Sequence, residues 1–258
     1  MVTTMGPIPN RLRTLASDPS SNRVMNAPDG HYQNQVLGSL PACEIDRLAP
    51  HLKFVDLPQG TVLLNGNAPH GYFLEEGVAS AVVSVVDGGM VEVGVIGTEG
   101  MVGIPVLLGT DRSPVRIFMQ ISGSGFRIEA DSLKAEFDCS GQLRQYLQKY
   151  IQAFMVQTTQ TGACNRLHNI EERLARWLLT CRDRMPTDRL ALTHEFLGQM
   201  LGSPRTTVTL AVGLLERAGM IDHSRGVVTV RDRQALEDTA CECYCVVRDE
   251  YVRLGLLE

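Results

Sequence analysis

The sequence predicts an α+β fold in which an N-terminal antiparallel β-roll is followed by a long helix and a C-terminal winged helix-turn-helix. Three observations predict this order. Residues 54–128 are rich in Val, Ile and Gly and contain short alternating runs, as antiparallel strands do. Residues 141–167 contain no proline and carry apolar side chains at steps of three and four, as one amphipathic helix does. Residues 192–230 contain two short helical patterns joined by a glycine turn and followed by two short strands.

Composition divides the 258 residues into four segments. Residues 1–30 are rich in Pro, Ser, Asn and Thr and predict a flexible N-terminal arm. We assign residues 31–138 to the β-roll domain, residues 139–168 to the long helix and residues 169–258 to the winged helix-turn-helix domain. Within the roll, Asp87-Gly88-Gly89 between two alternating runs predicts a hairpin tip, because glycine supplies the positive φ of tight turns.

Charge and cysteine usage limit the class of protein. The formal net charge is -5, but residues 169–233 carry ten arginines against eight acidic residues. Arginine suits bidentate contact with guanine or phosphate, so a nucleic-acid partner is not excluded. No apolar run approaches the roughly 20 residues that span a bilayer, and the first residues do not resemble a signal peptide. We therefore expect no membrane partner, a cytoplasmic location and reduced thiols for the seven cysteines.

The long helix predicts a homodimer. Its apolar stripe is richer than a small roll needs, so we expect a partner helix from a second subunit. The alternative is a helix that packs only on its own domain. The predicted dimer residues are Leu143, Leu147, Tyr150, Ile151 and Phe154.

Capping patterns predict where the C-terminal helices begin. Asn169 can cap a new helix whose first turn holds Glu171 and Glu172. Further along, Thr193 can cap the first helix of the helix-turn-helix pair, and Gly202 ends it. Ser203 is the predicted N-cap of the second helix, with Pro204 at its first position.

The outward surface of the second helix predicts base recognition. Arg205, Thr206 and Thr209 share that surface, and arginine and threonine are side chains that read base edges in the major groove. After Gly219 the pattern is strand, turn, strand with Arg225 at the tip, as in a wing that contacts phosphate. The alternative is a helical core that binds no DNA.

In this order of parts the chain resembles the Crp/Fnr superfamily of transcription regulators over about residues 35–245. The resemblance is most specific in residues 164–179 and in residues 192–226. It implies a cyclic-nucleotide-binding-like sensor fold, a homodimer on a palindromic double-stranded DNA site, and contact with RNA polymerase. It also implies that Arg205, Thr206 and Thr209 face bases. Thr193 and Thr207 would then face phosphate.

The sensor departs from the cyclic-AMP pattern of that superfamily. Where cyclic-nucleotide binders carry Gly-Glu and then Arg-Ser, this chain has Gly103-Ile104 and then Arg112-Ser113. Isoleucine cannot accept a hydrogen bond from a ribose hydroxyl, and the Arg-Ser pair lies closer to the glycine than in the pattern. We therefore expect no tight cyclic AMP binding, and the effector stays open.

The sequence predicts no cofactor, no metal site and no catalytic residue. An iron-sulfur cluster needs several N-terminal cysteines, and Cys43 is alone in the first 138 residues. A haem ligand is conceivable at His70, but a lone histidine in a loop is more often a solvated side chain. Cys241, Cys243 and Cys245 are expected in a terminal helix that begins near Arg233, where only the first and last share a face. We expect this run to dock that helix, and a redox role is the alternative.

Two other classes of function compete with DNA binding. A signal-binding module acting through protein contacts would use the roll, but it gives no reason for the pattern in residues 192–231. An enzyme is less favoured, because the sequence contains no glycine-rich phosphate loop, metal triad or nucleophile motif.

Overall fold

The computed structural model describes residues 31–84, 89–139 and 141–257. The predicted arm, residues 1–30, lies outside them. The described chain begins with two short helices and a 3-10 turn, then forms the β-roll. The bounds are α1 Gln35–Gly38, α2 Ala42–Leu48, the 3-10 turn Ala49–His51, β1 Lys53–Leu57, β2 Val62–Asn67, β3 His70–Ser84, β4 Met90–Ile96, α3 Ile104–Leu107 and β5 Arg112–Glu129.

The roll is antiparallel throughout, as predicted. Its strands pair in the order β1-β5-β3-β4, and β2 pairs with another part of the long strand β5. Strands β3 and β4 form a hairpin whose last described pair joins Ser84 and Met90. This pairing agrees with the predicted hairpin, although residues 85–88, which include Asp87 and Gly88, lie outside the described residues.

Helices and a second small sheet make up the rest of the chain. The bounds are α4 Ala130–Cys139, α5 Gly141–Leu167, α6 Ile170–Arg182, β6 Arg189–Ala191, α7 His194–Met200, α8 Arg205–Arg217, β7 Ile221–Ser224, β8 Val227–Val230, α9 Arg233–Thr239 and α10 Cys243–Arg253. The strands of the second sheet pair in the order β6-β8-β7. None of the described helices has the length and apolar character needed to cross a membrane.

The helix α5 covers the proline-free run in which the sequence predicts one amphipathic helix, and it ends where a capping box starts α6. The Asn169 side chain accepts a hydrogen bond from the Glu172 backbone N–H at 2.9 Å, and the Glu172 carboxylate accepts one from the Asn169 N–H at 3.2 Å. This reciprocal pair satisfies two N–H groups that a helix start leaves without partners. The prediction that Asn169 caps a new helix is confirmed.

The roll and the C-terminal helices share their hydrophobic cores. One core joins roll residues such as Val82 and Val95 to Trp177 of α6 and Leu197 of α7. The other joins the opposite side of the roll to α5 and to Tyr251 of α10. The two halves of the chain are therefore packed against each other over apolar surface, which fixes the orientation of the helix-turn-helix relative to the roll.

Two buried polar contacts cross the same junction. Arg184, just after α6, donates from Nε to the Glu99 carboxylate at 2.7 Å, with side chains 3% and 1% exposed. Trp177 donates from its indole Nε1 to Glu92 of β4 at 2.6 Å. Buried charges and indole N–H groups need such partners, so these contacts specify one relative orientation of the two halves.

Candidate nucleic-acid interface

The helix-turn-helix is formed by α7 and α8 with a tight turn between them. The Thr193 side chain caps α7 by accepting a hydrogen bond from the Phe196 N–H at 3.2 Å, as predicted. A Cβ added at Gly198 would lie 3.0 Å from the Ser203 carbonyl oxygen. Any larger residue at this position would force the turn to shift by a few tenths of an ångström away from α7. The glycine therefore sets the angle at which α8 leaves the turn.

The start of α8 differs by one residue from the prediction. Gly202 adopts φ +56, which reverses the chain as expected. The N-cap of α8 is Pro204 and makes no side-chain capping bond, whereas the Ser203 hydroxyl donates to the Leu201 carbonyl at 3.2 Å. Ser203 is therefore not the N-cap, because its hydroxyl satisfies the last turn of α7 instead.

The first two turns of α8 present the predicted recognition residues to solvent. Arg205, Thr206 and Thr209 are exposed and Thr207 is half-buried. The opposite face of the helix packs into the core through Val208, Val212 and Leu215. Arginine and threonine side chains are thus held on a rigid helix, where they can donate to or contact base edges.

One hydroxyl of this surface is already engaged. Thr209 donates from Oγ1 to the Arg205 carbonyl at 2.9 Å, and its Oγ1 also lies 3.1 Å from Nδ1 of His194. The Thr209 hydroxyl is therefore hydrogen-bonded within the domain, and its methyl group is the part of the side chain that makes no hydrogen bond.

Sequence reasoning missed three residues of this surface. Leu210 lies beside Thr206 and Thr209 on α8 and is 70% exposed. The rings of His194 and His223 stack with centroids 4.2 Å apart and join the start of α7 to β7. Burial, followed by the charges of His223 and Arg205, lowers the pKa of His194. A large exposed apolar side chain on a predicted recognition helix was the available signal for Leu210. The histidine pair gave none, because its members are 29 residues apart.

The wing is formed by β7, a two-residue turn and β8. Arg225 and Gly226 both have positive φ, 49 and 75 degrees, which is the geometry of a tight hairpin turn. Arg225 is exposed at the tip, as predicted. The Gly226 carbonyl accepts a hydrogen bond from the Leu192 N–H at 2.7 Å, which joins the wing to the residue before Thr193. Arg225 and Thr193 therefore lie on the same side of the domain.

The four predicted pocket residues lie at the two ends of the segment that contains α3, between strands β4 and β5. Gly103 and Ile104 start α3, and Arg112 and Ser113 start β5. A Cβ added at Gly103 would lie 2.8 Å from the Met101 methyl carbon and 3.1 Å from Gly71 Cα, so this glycine packs against the roll. Arg112 is exposed.

The residues predicted to contact a partner helix pack mainly within their own chain. Leu143, Leu147 and Tyr150 are completely buried, and the Tyr150 hydroxyl donates to the Met101 carbonyl at 3.1 Å. Phe154 lies against Gly94 of β4, and Ile151 is half-buried at the border of the core. The assignment of the three buried side chains to a dimer contact is therefore wrong. The stripe was apolar because the roll covers it.

The exposed face of α5 lies on the opposite side. The helical period of 3.6 residues puts these side chains on one stripe. We call it the α5 stripe, and its members are Gln148, Gln152, Met155, Thr159, Gly162 and Arg166.

The cysteine run does not lie on one helix. After α9 ends, Ala240 adopts an extended backbone with φ -66 and ψ 147, and α10 begins at Cys243. Cys241 and Cys243 are buried, whereas Cys245 is exposed. The expectation of a continuous helix is wrong. The expectation that only Cys241 and Cys245 share a face fails with it, because the break between α9 and α10 turns the first two sulfurs to the same side.

The matching family model is that of the Crp-like helix-turn-helix domain, and it covers residues 172–239. Among curated proteins, no relative matches the chain. Solved structures share the fold along most of the chain. A transcriptional regulator of the Crp/Fnr family from Eubacterium rectale is 18% identical with a TM-score of 0.62, covering 80% of this chain and 98% of its own.

Two further structures are similar. FixK2 from Bradyrhizobium japonicum is 17% identical with a TM-score of 0.63, covering 74% of this chain and 98% of its own. The c-di-GMP-responsive global regulator CLP from Xanthomonas campestris is 16% identical with a TM-score of 0.60, covering 74% of this chain and 99% of its own. The family model therefore identifies a Crp-like helix-turn-helix domain over α6 to α9, and the solved structures show that the fold of most of the chain is shared with Crp/Fnr regulators.

Proposed function

We propose that the protein binds a palindromic DNA operator as a homodimer and inserts the N-terminal turns of α8 of each subunit into successive major grooves. The observation that carries this proposal is the exposed surface of Arg205, Thr206 and Thr209 on a helix whose other face is buried. Arg205 would donate both guanidinium arms to a guanine, and the threonine methyl groups would contact thymine. Helix-turn-helix dimers read half-sites about 34 Å apart, so the operator should be a spaced inverted repeat.

Phosphate contacts would hold this helix in register. Thr193 lies at the start of α7, Thr207 lies in the first turn of α8, and Arg225 extends from the wing on the Thr193 side. Side chains of this kind fix position on the duplex without reading sequence. Their proposed role is therefore affinity and salt dependence, whereas Arg205 sets sequence preference.

The α5 stripe is the surface that we propose for the second subunit. Met155 at its centre is 59% exposed, and Gly162, about two turns later, has open space where a Cβ would be. Small side chains let two helix backbones come close, and a single exposed methionine can fill the remaining gap. Because α5 is followed directly by α6, pairing of the two α5 helices would set the distance between the two recognition helices.

We infer that the roll does not bind cyclic AMP tightly. Ile104 cannot replace the carboxylate that accepts from a ribose hydroxyl, and Gly103 packs against Met101 and Gly71. Residues 31–138 would act as a sensor of another signal, or as a scaffold. Contact of the bound dimer with RNA polymerase, and a cytoplasmic location, are the remaining parts of this proposal. Transcription from the selected operator in a purified system tests the polymerase contact.

Selection of duplexes from a random pool with the purified full-length protein tests DNA recognition. We expect an enriched inverted repeat. Arg205→Ala should then weaken binding to it by about 1 to 3 kcal/mol and relax preference at one base pair per half-site. The matched control is Arg217→Ala, which removes an exposed arginine from the far end of the same helix, about 18 Å away at 1.5 Å per residue. Equal losses in both variants would contradict the assignment of Arg205.

Sedimentation tests the dimer. Met155→Glu should shift the protein towards monomer by introducing a carboxylate at the centre of the α5 stripe. Gln145→Glu adds the same charge at an exposed position about 80° around the helix and should leave the dimer intact. A dimer that tolerates both substitutions would move the interface to another surface. Calorimetry with cyclic AMP tests the roll. A sub-micromolar affinity would contradict the inference that it does not bind cyclic AMP tightly.

A further inference from the structure

Four potential metal ligands meet at the junction between α5 and the C-terminal segment. We call them the hinge cluster, and its members are Cys164, His168, Cys241 and Cys243. Cys164 and His168 lie one helical turn apart at the end of α5, so their side chains share a face. Cys241 and Cys243 come from the break between α9 and α10, and both point to that face. Segments that are 77 residues apart in sequence thus supply two ligands each.

The distances fit one tetrahedral ion. All four ligand atoms lie within 4.8 Å of one another. The Cys164 and Cys241 sulfurs are 3.4 Å apart, and the Cys243 sulfur is 3.5 Å from Nδ1 of His168. A tetrahedral Zn²⁺ with bonds of about 2.3 Å to sulfur and 2.0 Å to nitrogen requires edges of about 3.8 Å and 3.5 Å. The sulfur–nitrogen pair already has the required separation, and the sulfur–sulfur pair would need to open by only a few tenths of an ångström.

The surroundings of the hinge cluster match those of a structural zinc site. The Glu242 carboxylate lies 3.2 Å from Nε2 of His168, and Nδ1 of the same ring faces the Cys243 sulfur. A carboxylate that orients a ligating imidazole in this way is the usual outer partner of a zinc-bound histidine. Gln160 donates from Nε2 to the Cys243 sulfur at 3.1 Å. Each of these contacts orients a potential ligand side chain.

Charge and burial agree with this assignment. Zn²⁺ with three thiolates and a neutral histidine carries one net negative charge. Arg173 and Arg176 interact electrostatically with the cysteines and would balance it. The three cysteines are buried and form a core cluster of their own, separate from the two hydrophobic cores. Thiols that served only to dock a helix would be expected to pack among aliphatic side chains, as Cys181 does in the core around α6.

We propose that the hinge cluster binds one Zn²⁺ ion per chain as a closed Cys3His site. The ion would clamp the C-terminal segment to the last turn of α5, immediately before the helix boundary at Asn169. Arg173 extends this connection, because its guanidinium donates to Asn165 of α5 and to the Leu201 carbonyl at the end of α7. Metal binding would therefore hold the helix-turn-helix at a fixed angle to α5. This consequence rests on the proposed function, whereas metal binding itself does not.

Metal binding can be measured on the full-length wild-type protein, without any variant. The protein is prepared under reducing conditions, its metal content is measured by mass spectrometry, and the metal-free form is titrated with Co²⁺. We expect one zinc per chain as purified. We also expect saturation at one Co²⁺ per chain, with the intense visible bands of tetrahedral thiolate coordination. Absence of both signals, iron in place of zinc, or a Cys164–Cys241 disulfide in the reduced preparation would overturn the proposal.

Variants assign the ligands. Cys243→Ser should abolish stoichiometric Co²⁺ binding, and the matched control Cys245→Ser, two residues later and exposed, should not. His168→Cys should restore a four-ligand site with an altered spectrum, whereas His168→Ala should lose it. Glu242→Gln should weaken metal affinity about 10- to 100-fold, as is usual for outer partners. Equal binding by Cys243→Ser and Cys245→Ser would remove the hinge cluster as the site.

DNA affinity of the zinc-loaded and metal-free wild-type protein then tests the coupling. A loss of at least tenfold on zinc removal, reversed by zinc, is expected. Failure to bind any duplex in either form contradicts the proposed function and leaves the metal site to be judged by the Co²⁺ titration alone. Unchanged DNA affinity with stoichiometric zinc would overturn the coupling to the helix-turn-helix.

Discussion

The free energy of unfolding should fall less with rising pH when Glu92, at the junction between the roll and α6, is replaced by glutamine. The Glu92 carboxylate is buried and accepts hydrogen bonds from the Ser80 hydroxyl at 2.5 Å and from Trp177 Nε1 at 2.6 Å. Burial raises the pKa of Glu92 to about 7, although both hydrogen bonds and the charges of Arg176 and Arg184 oppose this shift. Between about pH 4.5 and pH 7 the folded protein therefore holds a proton on Glu92 that the unfolded chain has lost.

The sign and size of the effect follow from that difference. Because the pKa is higher in the folded state than the ordinary value of 4.5, ionisation of Glu92 destabilises the fold as pH rises from 4.5 through 7. A shift from 4.5 to about 7 corresponds to about 3 kcal/mol in total, of which about 1 kcal/mol falls between pH 6 and pH 8. Below pH 4.5 the contribution no longer changes.

Denaturant unfolding at pH 6 and pH 8 measures this contribution, and the fluorescence of Trp177, the single tryptophan, reports directly on the junction. Between the two pH values, the free energy of unfolding should fall by about 1 kcal/mol more in wild type than in Glu92→Gln. The control Glu76→Gln removes an exposed carboxylate from β3 and should keep the wild-type dependence. An identical pH dependence in wild type and Glu92→Gln would refute the reasoning.

Three further substitutions give measurable outcomes. Arg184→Met should cost about 3 to 5 kcal/mol of unfolding free energy in chemical denaturation, because it leaves the buried Glu99 carboxylate unpaired, whereas Arg182→Met, which breaks the more exposed pair with Asp188, should cost less than about 1 kcal/mol. Gly198→Val should weaken operator binding at least tenfold in gel shifts, since its Cβ would meet the Ser203 carbonyl, and amide exchange in the roll should stay unchanged. Arg225→Asn removes a charge and keeps a residue that tolerates the positive φ of the wing tip. The fall of log affinity with log salt should become less steep, by about 2 per dimer. An unchanged slope would place the wing away from phosphate.

Local signals in the sequence predicted the boundaries of the helices well. Asn169 and Thr193 are caps in the structure because a capping bond depends only on residues three positions apart. The tip of the wing was predictable for the same reason, since a two-residue turn is specified by its own φ values. The error at Ser203 was of one residue, and it arose because its hydroxyl had a competing acceptor in the preceding turn.

Contacts between distant segments could not be predicted in this way. The periodicity of α5 indicated that Leu143, Leu147 and Tyr150 are buried, but periodicity does not say which surface covers a stripe. The roll covers these residues, through loop positions such as Gly100 that lie 50 residues from Tyr150. The same limit applies to the hinge cluster, whose geometry depends on a backbone break at Ala240 that no capping residue announced.

The ion pair between Glu99 and Arg184 has a consequence for how the protein changes state. Any rotation of the helix-turn-helix half away from the roll must separate two dehydrated charges. A partial separation loses their attraction before water can hydrate them. Intermediate angles are therefore disfavoured relative to both end points. A signal that reaches this junction should produce two discrete populations of molecules, whose proportion, and not whose shape, varies with the strength of the signal.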